Sequence, residues 1–386
     1  MVKVDKMKIA IDAMGGDKAP SAIIEGAVHA AREFGSNIIL VGKREVISSE
    51  LKKHDVKNLS LSIRHASEVI EMHESPSVAL RKKRDSSIKI GIELVKRGEA
   101  DAFVSAGNTG AVMAASTFIL RTLKGIDRPA IAVQLPTTSG PVILIDAGAN
   151  VDCKPHQLFQ FGIMGHVFAK YVIGRDNPRV GILNNGEEED KGNEITKGVH
   201  KVLKKSTLNF IGNVEGKELY KGAADVVVSD GFVGNITLKV SESLADMIGK
   251  ALKGIFTKNW RSKLGYILIK PYLESFKKSV DYSEYGGAPL LGVNGICIIA
   301  HGSSSSKAIK NAIKQAGEFV NRQINIHIQE DIERNIKIQP PEIKKSGVLR
   351  ALKEIVSFSR KKETEKETEK EITTEDTEGK KIANSE

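Results

Sequence analysis

The chain has 386 residues, 40% of them hydrophobic and 27% charged, with 58 Lys and Arg against 48 Asp and Glu for a formal net charge of +10. This supports one large α/β domain or two smaller ones and implies an acidic partner: nucleic acid, anionic lipid or an acidic protein. A single tryptophan, with no zinc-finger or RNP-type motif, leaves nucleic acid the least supported. Cys153 and Cys297 lie far apart without CxxC spacing, which excludes a disulfide framework and a cysteine zinc site and points to a reducing compartment.

From the N-terminus, MVKVDKMKIAIDAMGG contains no cleavable apolar region, and no later run approaches the roughly 20 apolar residues of a membrane span. A cytoplasmic protein is expected. Over the first 335 residues short β-branched runs alternate with helical patterns, which predicts a mostly parallel sheet with crossover helices. KIAID (8–12) reads as a buried strand followed by a helix over 20–34, and NIILVG (37–42) as the next strand. Runs at 100–107, 130–135, 142–148, 179–186, 224–231 and 296–302 repeat a theme, most of them ending in small polar residues and glycine. Ligands in open α/β sheets bind outside the carboxyl ends of strands, so these endings are the candidate sites.

Five glycine-flanked segments carry them. In AIDAMGGDKAPS (10–21), Gly15, Gly16 and Asp17 join a strand to a helix, where backbone N–H groups and the helix dipole suit an anion; a simple tight turn is the alternative. In SAGNTGA (105–111), Gly107, Asn108 and Thr109 offer N–H groups, an amide and a hydroxyl, or simply cap the following helix. NNGEEEDKGNE (184–194) has the wrong residue order for an ATP-binding P-loop, but its Lys191 suits a phosphate contact or a solvated loop equally. In SDGFVGN (229–235), Asp230 is placed to orient a partner and Asn235 to donate its amide, or they serve as a cap and a structural Asn. Finally YGGAPLLGVNG (285–295) precedes HGSSSSKAI (301–309), where His301 and Ser303 stand at a hydroxyl-rich helix start.

The rhythm breaks at 240–282, a long helical stretch with an apolar stripe that includes Phe256 and a second run containing Leu264 and Ile267, with Trp260 between them amid lysines and arginine. Two readings stay open for it: a hairpin that caps the core or a dimer interface, and an exposed basic amphipathic hairpin that touches membrane. After Gln339-Pro340-Pro341 a short amphipathic basic helix is expected, then a charged tail too poor in apolar residues to fold. No HExxH, calcium loop, GxSxG elbow or GxGxxG turn occurs, so no metal, serine nucleophile or dinucleotide cofactor is expected.

Taken in order, MKIAIDAMGGDKAP, SAGNTGA, LIDAGAN, LNNGEEEDKGNE, SDGFVGN and YGGAPLLGVNGICIIAHGSSS resemble the bacterial phosphate acyltransferase family, the acyl-acyl carrier protein:phosphate acyltransferases, over about residues 7–335. The resemblance implies an α/β/α sandwich like that of phosphotransacetylases and isopropylmalate dehydrogenases, with a protruding helical hairpin at about 240–282. It implies a homodimer without cofactor that acts at the membrane surface. There it would move a long-chain acyl group from acyl carrier protein to inorganic phosphate, and the acyl phosphate would pass to a membrane glycerol-3-phosphate acyltransferase for phospholipid synthesis. It makes Lys191 the charge that positions phosphate and Asn235, with Asp230, the groups that order the substrate. Gly15, Gly16, Asp17, Gly107, Asn108, Thr109, His301 and Ser303 become substrate or phosphate contacts, and Phe256, Trp260, Leu264 and Ile267 membrane contacts. Residues 1–6 and 336–386 depart from the family pattern. A short-chain acyl-CoA phosphotransacetylase, a metal- and NAD-dependent dehydrogenase of the same fold, and a non-enzymatic membrane scaffold remain as alternatives.

Overall fold

The computed structural model describes residues 7–280 and 285–338. Contacts divide the chain into Met1–Lys337 and Ile338–Glu386, and all of the second unit but Ile338 lies outside the described residues. The short basic helix, the charged tail and the extension at 1–6 fall outside them too.

The first half runs β1 (Lys8–Asp12), α1 (Ser21–Phe34), β2 (Asn37–Gly42), α2 (Arg44–Leu51), β3 (Leu61–His65), α3 (Pro76–Lys82), α4 (Ser87–Lys96), β4 (Ala102–Ser105) and α5 (Thr109–Ile119). Then come β5 (Ala130–Leu135), β6 (Val142–Ile145), α6 (Pro155–Phe168), β7 (Arg179–Asn184), α7 (Glu194–Leu203), β8 (Asn209–Glu215), α8 (Gly216–Leu219) and β9 (Val226–Val228). The chain continues through α9 (Gly231–Thr257), α10 (Trp260–Val280), β10 (Ala288–Leu291), β11 (Ile296–Ile299), α11 (Ser306–Asn321) and α12 (Ile324–Ile338).

The strands form one sheet in the order β3-β2-β1-β4-β11-β10-β5-β6-β9-β7-β8. Two parallel blocks, β3-β2-β1-β4-β11 and β6-β9-β7-β8, are joined through β10 and β5, each antiparallel to its neighbours. Side-chain alternation along each strand sorts the core into two faces. In the first block Ile9, Ile11, Ile38 and Leu40 pack under α1 and α11, while Ala10, Val41 and Phe103 face α4 and α5. In the second, Ile143, Ile145, Val226 and Val228 pack against Phe159, Ile163 and Val167 of α6, and Leu144 and Val227 face the other way, where Leu238 of α9 lies. Helices therefore cover both faces, and the fold is the expected α/β/α sandwich with a mostly parallel sheet.

The helical stretch expected over 240–282 begins earlier. Asp230 accepts the N–H of Val233 at 2.8 Å, which starts α9 at Gly231, directly behind β9. It breaks at 258–259, where the Asn259 side chain accepts the N–H of Ser262 at 2.9 Å and starts α10. That helix continues through Pro271, where the apolar run in the sequence stops. Thr138 donates its N–H to Tyr220 O at 3.2 Å and Tyr220 Oη touches Ser241 Oγ, so α9 passes the β5–β6 turn before it leaves the body. The chain re-enters at Ala288, paired with Ile299, two residues before His301. The hairpin thus returns to the sheet at the strand ends that carry His301.

Candidate active site

Strand direction gathers the sequence-predicted residues at two places. At the first, the ends of β1, β4 and β11 bring together Gly15, Gly16, Asp17, Gly107, Asn108, Thr109, His301 and Ser303. Much of their hydrogen bonding is spent on one another. Asp12, buried at the end of β1, accepts the Ser105 hydroxyl at 2.8 Å and the Met14 N–H at 3.1 Å, and the Gly107 N–H goes to Ser105 Oγ at 3.0 Å. Gly15 is forced by contact: a Cβ there would lie 2.3 Å from Asp12 Oδ2 and 2.7 Å from Gly107 N. Asp17 donates its N–H to Gly302 O at 2.8 Å, and Lys18 Nζ reaches Ser303 O at 2.8 Å. Asn108 accepts the Ala111 N–H at 3.0 Å as the cap of α5 and donates its amide to the carbonyls of Glu71, Met72 and Glu74 at 3.0–3.1 Å. Its carboxamide therefore shapes the turn, whereas Thr109 next to it is exposed. His301 Nδ1 accepts the Ser303 N–H at 3.2 Å and lies 2.8 Å from Ser303 Oγ, so the neutral ring carries its proton on Nε2.

At the second place, β6, β9 and β7 run parallel side by side, so Asp146, Asp230 with Asn235, and the loop bearing Lys191 leave the same edge. Asp146 is fully buried and receives five hydrogen bonds. Burial pushes its carboxyl above the ordinary value of 3.8, and the donors oppose that rise. Asp230 caps α9, and Asn235, on the same helix, packs on Gly148, where a Cβ would lie 3.4 Å from its Cβ and Cγ. Among the described residues the half-buried Asn235 carboxamide makes no hydrogen bond and the exposed Lys191 ammonium has no acceptor or counter-charge, which leaves both open to a ligand. Cys153 lies below this cluster, its thiol 3.4 Å from Asn150 O and pushed up to about 12 chiefly by burial, so it holds no thiolate at neutral pH.

No hydrogen bond or ion pair among the described residues joins Lys191 to Asp230 or Asn235; the sheet brings them to one edge, and the first group lies at the ends of strands of the opposite direction. Of the residues expected at the membrane, Trp260, Leu264 and Ile267 are 70%, 53% and 65% exposed, while Phe256 is half-buried against Tyr266 with ring centroids 5.5 Å apart. Two strand-end acids central to this geometry, Asp12 and Asp146, carry no assignment from the sequence; the only trace of them there is an Asp closing a fully apolar strand, in KIAID and VILID.

A family model described as "Fatty acid synthesis protein" matches residues 7–327. The phosphate acyltransferase of Geobacter sulfurreducens is 54% identical over 327 residues, covering 85% of this chain and 94% of the relative. That of Pelotomaculum thermopropionicum is 54% identical over 327 residues, covering 85% and 95%. Among solved structures, a phosphotransacetylase from Streptococcus pyogenes superposes with a TM-score of 0.56 at 18% identity, covering 83% of this chain and 94% of that one. The EutD phosphotransacetylase from Staphylococcus aureus gives 0.51 at 16% identity, covering 81% and 94%; both likenesses establish the fold alone. With its motifs, its fold and a match over most of its length in agreement, the chain belongs to the phosphate acyltransferase family.

Proposed function

We propose that this chain transfers a long-chain fatty acyl group from the thioester of acyl carrier protein to inorganic phosphate, giving the acyl phosphate used in phospholipid synthesis. The observation that carries the reading is the 54% identity to a phosphate acyltransferase across 94% of that relative's length. Residues 7–335 form the catalytic domain, and residues 336–386 an extension. The enzyme works as a homodimer in the cytoplasm, touching the inner membrane surface through the α9–α10 hairpin, and hands its product to a membrane glycerol-3-phosphate acyltransferase.

The chemistry asks little of the protein. Hydrogen phosphate is already an anionic nucleophile at neutral pH, so the site must hold it, aim it and stabilise the oxyanion that develops. A phosphate oxygen attacks the thioester carbonyl, the C–O bond forms, and the C–S bond breaks as the tetrahedral centre collapses. The phosphate's proton ends on the departing thiol, whose pKa of about 8.5 lets it leave with little acid assistance. Lys191 supplies the positive charge for phosphate, and the open carboxamide of Asn235 donates to substrate and transition state near the positive end of α9. Asp230 keeps that helix end in place by its cap. Gly15, Gly16, Asp17 and Gly107 shape the first strand-end group, with Thr109, His301 and Ser303 as its polar contacts.

The assay is thiol release from long-chain acyl carrier protein with and without phosphate. Release that needs phosphate and favours the carrier protein supports the reading. Equal or better turnover of short-chain acyl-CoA would replace it with a phosphotransacetylase.

A further inference from the structure

Asp146 is fully buried, and among the described residues no cation pairs with it. Its Oδ1 accepts the N–H groups of Ile131 (3.0 Å), Gly148 (3.1 Å) and Ala149 (2.9 Å). Its Oδ2 accepts the Asn150 N–H (2.7 Å) and the Asn150 carboxamide (2.9 Å). All five partners donate, so the side chain acts purely as an acceptor, a role that only the ionised carboxylate fills with both oxygens. An amide at this position would turn its NH2 towards at least two N–H groups in either orientation.

The loop wrapped on this carboxylate is also the seat of α9. Asn150 O accepts the N–H of Gly231, the first residue of the helix, at 2.7 Å. Gly234 lies so close to the Asp146 carbonyl that a Cβ would be 1.9 Å from its oxygen, and Gly148 lies against the stem of Asn235. Asn235 is thus fixed from below at three points of the 146–150 segment, and its own carboxamide has no hydrogen bond among the described residues to fix it.

We propose that Asp146 is the positioning residue of the Asn235 site, holding the 147–150 loop and through it the place and direction of the Asn235 carboxamide. This rests on Asn235 being the donor that meets the substrate. Touching no substrate, Asp146 acts only through that neighbour.

The test is a double-mutant cycle in the full chain, measured as phosphate-dependent thiol release from long-chain acyl carrier protein, with kcat and KM for phosphate resolved separately. Asp146→Asn is expected to lower kcat about a hundredfold, the cost of a misplacement on the order of 1 Å, with little change in KM. In an Asn235→Ala background the same substitution should cost no more than about twofold, because the group it positions is gone. Equal losses with and without Asn235 would overturn the positioning role and leave the proposed function standing. Wild-type turnover by Asn235→Ala would overturn both the role and the assignment of Asn235. If Asp146→Asn does not fold, Asn150→Ala removes one donor from Asp146, together with the loop's 2.8 Å bond to Pro129 O, and keeps the backbone bonds to Asp146. Its kcat loss, about tenfold, should likewise vanish without Asn235, and persistence there would overturn the proposal.

Discussion

Lys191 follows four acids in sequence, yet the fold draws two of them elsewhere. Glu187 pairs with Lys217 at 3.3 Å and Glu189 with Lys204 at 2.6 Å. Asn184 and Asn213 bind the carbonyls of Lys191 and Glu188 at 3.2 and 2.6 Å, so the loop is held by its backbone while the ammonium stays available. Lys191→Ala should therefore lose about a hundredfold or more in kcat with an unchanged thermal melt, as expected for one preorganised electrostatic contact. Steady-state rates beside a melting curve check this, and near wild-type turnover would remove Lys191 from the mechanism. A second residue-scale prediction concerns stability. Asp225 immediately precedes β9 and is bonded by the Arg179 backbone N–H at 2.9 Å and its Nε at 3.0 Å. Burial pushes its pKa up, but the Arg179 bonds outweigh that and hold it below the ordinary 3.8. Its contribution is thus present above the unfolded pKa and lost as pH falls through the lower folded value. Asp225→Asn should cost about 1–3 kcal/mol at pH 7, and urea titrations should show the gap to wild type closing in strong acid. The strand-end positions of Lys191, Asp230 and Asn235 are legible in the sequence, because each follows an apolar run and stands among glycines, whereas the roles proposed for them come from the family resemblance and not from the residues alone. Asp12 and Asp146 are not legible, since what sets them apart is burial and the count of donors, which only tertiary structure supplies.

At the scale of elements, the α9–α10 hairpin leaves most of its large apolar residues exposed within the described chain. Trp260 and Ile267 are 70% and 65% exposed, and Arg261 sits 5.4 Å from the Trp260 ring, beside a run of lysines. No helix among the described residues is long and apolar enough to cross a bilayer, so contact would be with its surface. Each large apolar side chain that enters the interface is worth about 1.5–3 kcal/mol. Replacing Leu264 and Ile267 by Ser should then lower co-sedimentation with anionic vesicles by on the order of tenfold or more, while unchanged binding would return the hairpin to a dimer or core-capping role. The buried strands could be read from the sequence because their runs are apolar on both faces, as at VILI and VVV. β3 and β8 could not, because edge strands such as LSIRH stay half exposed and lose that signature. The start of α9 is legible only as an alternative, since the sequence offers Asp230 as a cap but its glycine-rich first turn lacks an apolar period, and the Asp230 cap with the packing of Gly231 and Gly234 on residues 146–150 makes it helical.

For the whole molecule, the net charge of +10 favours an acidic carrier over a neutral one. kcat/KM for acyl carrier protein should therefore fall as ionic strength rises through about 0.15 M, where the Debye length is about 8 Å, with kcat nearly constant. A salt-independent kcat/KM would argue against electrostatic steering. The two opposed parallel blocks place the glycine turns and the Asn235 cluster at ends of strands that run in opposite directions, an arrangement set by the antiparallel β10 and β5. That reversal has no local sequence signal, since β10 sits inside a segment that reads as glycine-rich loop. The central claim is acyl transfer to phosphate, and its most direct measurement is thiol release from long-chain acyl carrier protein, with and without inorganic phosphate, with hydroxylamine trapping of the product. Release that depends on phosphate and yields the hydroxamate is the predicted result. Folded protein that releases no thiol from the carrier protein or from acyl-CoA would contradict it.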